Sequence, residues 1–557
     1  MGSSPGSSTP PGSDSDPDED SDPGADRVRG STAYQHQQGR FPCPACSVVA
    51  HSEKDLIAHA NQHNSGLLQE RLDLGVFLDL GLSGCSRCSR FYKTKGLTNH
   101  QRYCKVLVVD PIAPEHKGDD WTLPPLDEVF STNRPTLTFV PAAHRQAWGS
   151  VLAKELYNVR LNNSLEAWTR LFMLPKCVLV APKRGGKRNR GDNLTITELC
   201  DSWTAGELEW LWNRSRRPEP DSKPHSADPK RVAQTAILHA RHGRLGKACA
   251  ALSSSGLAPD SPATWEKLKA KHPVANPPED VEPVATAPLQ LSAEFNLLGT
   301  LASFSKEVGT DGTCFRVQHL LDATEAQLPT PLLFHLRAVV NLLLSGEAAV
   351  ETRLYTAGAR LTALAKGESD VRPIAAGNIF RRLASKCACA LLQTRIRNTL
   401  GPKQLGVAQP GGAEKIIHSM RGVLASRWEG DDFTILKVDF ANAFNSISRD
   451  ALLNQVRKLF PDLLPWVRWC YGDQPLLFHQ MGTVRSCVGV QQGDPLGPLL
   501  FCLVLLVLMT RIAELCPALD FDDWFLDDGH LAGPTLEVVR ALAIMLLGGL
   551  YWRAILS

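Results

Sequence analysis

The chain has 557 residues, a formal net charge of +2 and 43% hydrophobic residues, so it can form several domains with a sizeable core. No apolar stretch at its start resembles a signal peptide, and fifteen cysteines in such a chain indicate metal binding rather than a disulfide scaffold. The apolar run at 499–509 is shorter than the roughly 18 residues that a membrane span needs. These features exclude a disulfide-stapled secreted protein and predict an intracellular protein without membrane contact, in which this run is a buried helix.

Residues 1–40 are predicted to be a disordered tail. The first 26 residues are mostly Ser, Pro, Gly and Asp. They bury too little apolar surface to repay the conformational entropy that folding costs.

Residues 41–63 have the spacing C-x2-C-x12-H-x3-H. This spacing is typical of a ββα zinc finger, in which a hairpin supplies two thiolates and one helix face supplies two imidazoles. Ala50 stands where such a finger usually has an aromatic residue, so its core is predicted to be thin and stabilised mainly by the metal. The predicted zinc ligands are Cys43, Cys46, His59 and His63.

A second, C2HC-like finger is predicted at 85–104, with one zinc ion per finger. Its middle segment has eleven residues and its last ligand is a cysteine. Lys93, Lys95 and Asn99 make it the better candidate for nucleic-acid contact, although the partner of either finger could be DNA, RNA or protein. The predicted ligands are Cys85, Cys88, His100 and Cys104.

The middle of the chain, 105–290, is predicted to be a linker followed by a mainly helical region. It contains a basic run at 182–190. Three interpretations of this run stay open: contact with a nucleic-acid backbone, a nuclear-import signal, or a solvated surface loop.

Three short blocks between residues 433 and 533 carry carboxylates next to apolar sequence. Asp439 ends a run that is typical of a buried strand. Asp527 and Asp528 precede Gly529, and this Asp-Asp-Gly is predicted to form the turn of a hairpin. The neighbouring acids at 522–523 precede an apolar run, so we interpret them as polar residues at the entrance of the strand.

Carboxylates brought together in this way repel one another unless cations lie between them. Their hard oxygen atoms suit Mg²⁺, and two such ions can hold the attacking and leaving oxygens of a displacement at phosphorus. The blocks therefore predict phosphoryl transfer with two Mg²⁺ ions, which Mn²⁺ could replace.

These blocks resemble motifs A, B and C of reverse transcriptases of the non-LTR (LINE-like) retrotransposon type. The resemblance covers Asp439 with Phe444, the Gln-Gly-Asp-Pro sequence at 492–495, and the acids at 527–528. It implies an α+β fingers and palm domain over 291–557, with an RNA template, a DNA primer or target DNA, and deoxynucleoside triphosphates as partners. It also implies a nuclear location with a possible cytoplasmic phase. The residues that it implies at the site are Asp439, Asp527 and Asp528 as catalytic metal ligands, and Phe440, Phe444, Gln492 and Gly493 around the nucleotide and template.

An earlier segment resembles the hairpin that covers the incoming nucleotide in this family. Lys366 and Arg372 would hold its triphosphate. Glu368-Ser369-Asp370 replaces the usual glycines, and its acids predict weaker nucleotide binding. In the helix that follows, Arg381–Arg382 and Lys386 are expected to contact the template backbone, and the alternative is a solvated helix face.

Phe444 bears on the choice of nucleotide. Its ring would close the space that a ribose 2′-hydroxyl needs, whereas RNA-dependent RNA polymerases usually have an aspartate there. This residue favours DNA synthesis, although it could also be a core aromatic.

The expected fold class is a multidomain chain: small ββα zinc fingers, a mainly helical middle region, and a reverse transcriptase fingers and palm domain that is truncated after motif C without a thumb. Two functions follow. One is an RNA-directed DNA polymerase of a non-LTR retrotransposon with zinc fingers that bind nucleic acid. The alternative is a zinc-finger nucleic-acid-binding protein with an inactive, relic polymerase domain.

Overall fold

The computed structural model describes residues 40–43, 46, 48–64, 72, 77, 80–85, 90–103, 121–132, 134–181, 194–215, 229–241, 243, 245–253, 256–282, 285–305, 309–328, 331–367, 369–427 and 432–547. Several predicted features lie outside these residues: the tail at 1–39, the ligands Cys88 and Cys104, the basic run at 182–190, Glu368, and residues 548–557. The chain divides into two compact units, residues 1–109 and 110–557.

The first unit contains two modules, each with a strand pair followed by a helix. Their elements are β1 (Phe41–Pro42), β2 (Val49–Ala50), α1 (Glu53–Asn64), β3 (Leu82–Gly84), β4 (Phe91–Lys93) and α2 (Thr94–Tyr103). The strand pairs β1–β2 and β3–β4 are antiparallel. At the start of α1, the Ser52 hydroxyl oxygen accepts the Asp55 N–H at 3.1 Å, which satisfies one of the free donors of the first turn.

The two modules share one hydrophobic core. Phe77, from the segment between them, meets Phe91 of β4 edge to face with ring centroids 5.3 Å apart. The Asn61 side-chain oxygen of α1 accepts the Phe91 N–H at 2.6 Å. The second module therefore supplies apolar surface that Ala50 does not provide in the first. The buried members of this core are Ala50, Leu56, Ala60, Leu72, Phe77, Leu82 and Phe91.

The second unit begins with helices. Its helices are α3 (Leu126–Ser131), α4 (Arg145–Asn162), α5 (Leu165–Val178), α6 (Ile196–Thr204), α7 (Leu208–Ser215), α8 (Pro229–Arg241), α9 (Leu245–Ser253), α10 (Pro262–Ala270), α11 (Leu297–Ala302), α12 (Val317–Thr324), α13 (Leu332–Leu344), α14 (Arg353–Thr356), α15 (Ile379–Leu400), α16 (Gly412–Arg427), α17 (Ala443–Ser446), α18 (Arg449–Leu459), α19 (Leu464–Tyr471), α20 (Gly497–Leu515) and α21 (Thr535–Leu547). Its strands are β5 (Ala359–Lys366), β6 (Asp370–Gly377), β7 (Thr434–Val438), β8 (Leu476–His479), β9 (Gly482–Arg485), β10 (Phe521–Phe525) and β11 (Asp528–Gly533).

These strands form two sheets. The fingers sheet has the order β6-β5-β8-β9, in which β5 and β6 form an antiparallel hairpin and β5 runs parallel to β8. The palm sheet is antiparallel, with the order β10-β11-β7. The central position of β11 places its one carboxylate, Asp528, between the other two strands.

Helix α10 packs on the fingers sheet. Its Leu268 is fully buried in a cluster with Leu361, Ala363 and Val371 of the hairpin. Beside β5, the Ala258 N–H donates to the Ala363 carbonyl at 3.0 Å. Residues before 291, the predicted start of the polymerase domain, thus take part in the packing of this sheet.

Helix α20 lies in the core of the second unit. It is long and apolar enough to cross a membrane by length and composition. Residues 499–505 of this helix are all buried, in one hydrophobic cluster with Val438, Trp524 and Leu531 of the palm sheet. The apolar run at 499–509 is therefore part of a mainly buried helix, as predicted, and the helix extends beyond it at both ends.

Candidate active site

The three predicted catalytic carboxylates lie at one end of the palm sheet. Asp439 directly follows Val438, the last residue of β7, which pairs with Gly529 of β11. Asp528 precedes Gly529 and therefore lies across from Asp439, while Asp527 belongs to the turn between β10 and β11. Asp439 is exposed, and the other two carboxylates are half-buried. The antiparallel register thus brings together acids that are far apart in the chain.

The turn that carries Asp527 differs from the predicted one. The last residue of β10 pairs with the first residue of β11, so the turn consists of Leu526 and Asp527. Because Asp528 and Gly529 already belong to the strand, the prediction of an Asp-Asp-Gly turn is wrong. Gly529 is needed for another reason: it pairs with Trp524, and an added Cβ would lie 2.5 Å from the indole ring.

The electrostatics of this end of the sheet favour a bound cation. Burial raises the pKa of Asp527, and the charges of Asp528 and Asp439 raise it further, whereas Lys366 lowers it. Carboxylates that repel one another in this way are stabilised by a cation between them, and their oxygen atoms are the ligands that Mg²⁺ prefers. The three residues therefore fit a divalent metal site.

The rival acids at 522–523 lie elsewhere on the same sheet. Asp522 is buried and forms an ion pair with Lys403. Asp523 pairs across the sheet with His530. Both belong to the first half of β10, away from the turn, in agreement with their interpretation as residues of the strand entrance.

Gln492 and Gly493 lie beside the fingers hairpin. The Gln492 carbonyl accepts the Ala375 N–H of β6 at 2.8 Å. Gly493 has a φ of 126°, and an added Cβ would lie 2.5 Å from the Ala375 carbonyl oxygen. Both the backbone conformation and this close approach require glycine. The segment thus joins the palm to the hairpin, and its predicted contacts with nucleotide and template stay predictions.

The next residue of this segment, Asp494, lies in a buried charge network. Its carboxylate accepts hydrogen bonds from the Arg381 guanidinium at 2.8 Å and from the Tyr471 hydroxyl at 2.7 Å. Arg381 has a relative exposure below 2%, so the predicted template contact is wrong for this residue, which instead ties α15 to the Gly493–Asp494 turn. Arg382 is buried as well, while Lys386 is half-buried.

The two aromatic residues of the first block have different surroundings. Phe440 is buried, and its ring lies nearly parallel to that of Trp524 with centroids 6.2 Å apart. Phe444 is half-buried and stacks on Phe501 of α20 at 5.0 Å. Its carbonyl also accepts the Val490 N–H at 2.7 Å. Phe444 therefore packs against the core through Phe501 and is not fully buried.

The fingers hairpin carries two exposed basic residues on one face. Lys366 pairs with Asp370, and Leu364 pairs with Arg372. Residues directly opposite each other, and residues two apart on a strand, share a face, so Lys366 and Arg372 are neighbours. Lys366 is also close enough to lower the pKa of Asp527. The basic face of the hairpin and the carboxylates thus belong to one site.

The acid at the tip of this hairpin has its own counter-ion. The Asp370 carboxylate accepts a hydrogen bond from Lys271, just after α10, at 2.9 Å. Burial alone would raise the pKa of Asp370, but this hydrogen bond lowers it below its ordinary value. Lys267 donates to the Ser369 carbonyl, and the Lys271 carbonyl accepts from the Asn442 side chain at 3.0 Å. The Lys271 ammonium thus partly neutralises the charge of Asp370.

The first finger brings its four predicted ligands together. The Cys43 thiol lies 3.1 Å from His63 Nε2, and the Cys46 thiol lies 3.2 Å from His59 Nε2. All four ligand atoms lie within 4.8 Å of one another. Around a tetrahedral zinc ion such atoms are roughly 3.5 Å apart, given metal–ligand bonds of about 2.0 to 2.3 Å. Cysteine and histidine at this spacing fit zinc.

The second finger is described only in part. Cys85 is fully buried, and the His100 ring stacks on Tyr92 at 4.1 Å. Its other two predicted ligands lie outside the described residues, so this zinc site stays a prediction. Lys93, one of the expected nucleic-acid contacts, forms an exposed ion pair with Glu53 of the first module at 3.1 Å.

Sequence reasoning missed two residues that hold the site in place. Lys271 contacts the hairpin tip, and Gln404 contacts the turn that carries Asp527. Each acts on residues about a hundred positions further along the chain, so no short-range pattern marks either of them.

Residues 364–544 match the family described as "Reverse transcriptase (RNA-dependent DNA polymerase)". The second unit therefore contains a reverse transcriptase domain. The chain is homologous to the "Retrotransposable element SLACS 132 kDa protein" of Trypanosoma brucei gambiense, with 29% identity over 223 residues. That match covers 39% of this chain but only 18% of the relative's length.

Two solved telomerase structures also match, each at 12% identity. The apo telomerase of Candida tropicalis, truncated from its C-terminal domain, has a TM-score of 0.26 and covers 34% of this chain and 46% of that chain. The telomerase of Candida albicans in complex with a fragment of telomeric RNA has a TM-score of 0.28, and the match covers 69% of this chain and 70% of that chain.

Proposed function

We propose that this protein is an RNA-directed DNA polymerase of a non-LTR retrotransposon, which extends a DNA primer along an RNA template with deoxynucleoside triphosphates. The observation that carries the proposal is the placement of Asp439, Asp527 and Asp528 at one end of the palm sheet, facing the basic hairpin of a reverse transcriptase domain. The same proposal places the protein in the nucleus, where its target DNA lies.

Each predicted site residue has a role in this reaction. The three carboxylates would hold two divalent cations, Mg²⁺ in the first instance, which would supply charge stabilisation to the attacking and leaving oxygens. Lys366 and Arg372 bind the triphosphate, Arg372 through its planar fork and Lys366 as a point charge. The Phe440 carbonyl, Phe444, Gln492 and Gly493 surround the nucleotide and the template.

Primer extension by the purified chain tests the proposal. The assay contains a homopolymer RNA template, a DNA primer, one complementary deoxynucleotide and Mg²⁺. Asp439→Asn removes an exposed metal ligand, so we expect a roughly thousandfold loss of rate, as several kcal/mol of transition-state stabilisation disappear. Asp523→Asn, in the same sheet but away from the turn, is the matched control and should retain most of the activity. Equal activity of the Asp439 variant and the wild type would overturn the proposal.

The choice of DNA over RNA synthesis is tested at Phe444. We propose that the accessible part of this ring closes the space for a 2′-hydroxyl, because its other side is held by Phe501. Phe444→Val should lower the preference for deoxynucleotides over ribonucleotides by about tenfold or more, measured as a ratio of kcat/KM values. An unchanged ratio would show that Phe444 is a core residue only.

A second candidate function follows from the first finger, whose four ligand atoms fit zinc. In this alternative the protein binds nucleic acid through zinc-dependent fingers and its polymerase domain is inactive. Metal analysis and binding assays of the wild type, Cys43→Ser and the control Cys249→Ser, whose thiol is exposed, separate the two functions. Zinc-dependent binding without primer extension supports the second function, whereas extension that Asp439→Asn abolishes supports the first.

A further inference from the structure

The turn that carries Asp527 has an unusual backbone. Leu526, its first residue, has a φ of 56°, in the left-handed region that side chains other than those of glycine, asparagine and aspartate rarely adopt. Such a conformation persists only where surrounding contacts hold it, and such residues cluster at functional sites. The contacts that hold Leu526 therefore also determine where Asp527 lies.

Two hydrogen bonds to the Leu526 backbone come from one buried side chain, that of Gln404. Its amide oxygen accepts the Leu526 N–H at 2.8 Å, and its amide nitrogen donates to the Leu526 carbonyl at 3.2 Å. The same oxygen accepts the Gly406 N–H at 2.9 Å. Gln404 is fully buried, so water does not compete for these hydrogen bonds.

The backbone around Gln404 is fixed to the same hairpin. The Trp524 N–H donates to the Lys403 carbonyl at 2.8 Å, and the Leu405 N–H donates to the Trp524 carbonyl at 2.7 Å. Gly406 lies so close to the turn that an added Cβ would be 2.6 Å from the Leu526 nitrogen. Residues 403–406 thus run beside β10 and end against the turn itself.

We propose that Gln404 is a positioning residue that holds the Leu526–Asp527 turn in the geometry needed for metal binding. This inference rests on the proposed function, since it assigns the residue that sets the metal affinity of the same site. A primary amide is required, because one side chain has to accept from and donate to the same residue. Methionine offers neither bond, and a carboxylate at this position would place an oxygen against the Leu526 carbonyl.

The test compares wild type, Gln404→Met and Gln404→Glu with a matched control, Gln409→Met. Gln409 lies in the same segment, and its side chain reaches the Arg397 carbonyl rather than the turn. Mn²⁺ binding to the protein alone is measured by electron paramagnetic resonance, and the Mg²⁺ concentration for half-maximal primer extension is measured beside the KM for deoxynucleotide. We expect both Gln404 variants to bind metal roughly 10- to 100-fold more weakly, as for other residues that orient metal ligands, with an unchanged nucleotide KM.

The outcomes separate this inference from the proposed function. Lower melting temperature with unchanged Mn²⁺ and Mg²⁺ dependence would show that Gln404 is structural only. If Gln404→Met does not fold, Gln404→Glu decides, since it keeps the side-chain length and both accepted hydrogen bonds. A wild type that binds Mn²⁺ without extending a primer overturns the proposed function alone. A wild type that binds no Mn²⁺ overturns both.

Discussion

The palm and the fingers hairpin are each held by an ion pair of nearly equal length, yet the two pairs differ in burial. In the palm, Arg381 and Asp494 lie 2.8 Å apart with side-chain exposures of 1% each. At the hairpin tip, Lys271 and Asp370 lie 2.9 Å apart with exposures of 25% and 42%. Judged by distance alone, the two ion pairs would be equally strong.

The burial of each ion pair determines how strongly its two charges depend on each other. Two buried charges depend on each other, because removal of one leaves the other desolvated and without compensation. A pair that water reaches can exchange its partner for solvent at a small cost. We therefore expect the palm to behave as a fixed support for the carboxylates and the hairpin as an element whose position can be adjusted.

The largest expected effect is at the buried pair. Arg381→Met should lower the free energy of unfolding by about 3 to 5 kcal/mol, because the Asp494 carboxylate loses its cation in a water-free site. Urea unfolding followed by circular dichroism measures this change. The double variant Arg381→Met with Asp494→Leu should recover part of the loss, since it removes both charges of the pair together. A single variant as stable as the wild type would contradict the contrast between the two pairs.

Burial also affects a titratable side chain in the core, that of His319, and makes stability depend on pH. His319 is fully buried, its Nε2 lies 2.8 Å from the Leu137 carbonyl, and its Nδ1 accepts the Arg316 N–H at 3.2 Å. This arrangement suits the neutral imidazole, in which Nε2 carries the proton. Burial lowers the pKa of His319 from 6.5 to about 4.

Between pH 6.5 and 4 the unfolded chain therefore binds a proton at His319 that the folded chain does not. Stability should fall as the pH decreases through this window, by about 3 kcal/mol at its lower end. His319→Gln keeps a donor and an acceptor but does not titrate, so its stability should fall less steeply. Urea unfolding at several pH values compares the two proteins. If the stability of the two proteins changed with pH in parallel, His319 would have the same pKa in the folded and the unfolded chain.

The smallest effect is expected at the hairpin. Lys271→Met removes the counter-ion of Asp370, so the KM for deoxynucleotide should rise about two- to fivefold, as expected for a half-exposed pair. Lys269→Met is the matched control, because Lys269 lies on α10 and pairs with Glu266 instead. Steady-state primer extension measures both. A fall in kcat without a change in KM would place the effect in the palm rather than in the hairpin.

Local patterns predicted much of the site. Asp439 follows an apolar run, which is a strand in the structure, and the acids at 527–528 belong to a hairpin, with Asp527 in its turn and Asp528 at the start of its second strand. The first finger's spacing also predicted a cluster that fits zinc. Short-range periodicity and ligand spacing are properties of neighbouring residues, so the sequence displays them directly.

The two errors have different causes. The expected template contact of Arg381 is wrong because its buried carboxylate partner, Asp494, is far away in the chain. The turn was predicted at Asp-Asp-Gly because glycine favours turns, but Gly529 is required by the Trp524 ring opposite it. The contact of Arg381 joins distant segments, whereas the contact of Gly529 lies across the two strands of one hairpin.

The sequence by itself determined which chemistry is available to this protein: acids that follow apolar strands, a basic hairpin, and Cys and His at zinc spacing. The tertiary structure decided how those groups are held, because strand register places Asp528 across from Asp439 and a buried glutamine fixes the turn between β10 and β11. The physical reason is that residue type and spacing carry local preferences, whereas burial and pairing depend on segments that meet only in the folded chain.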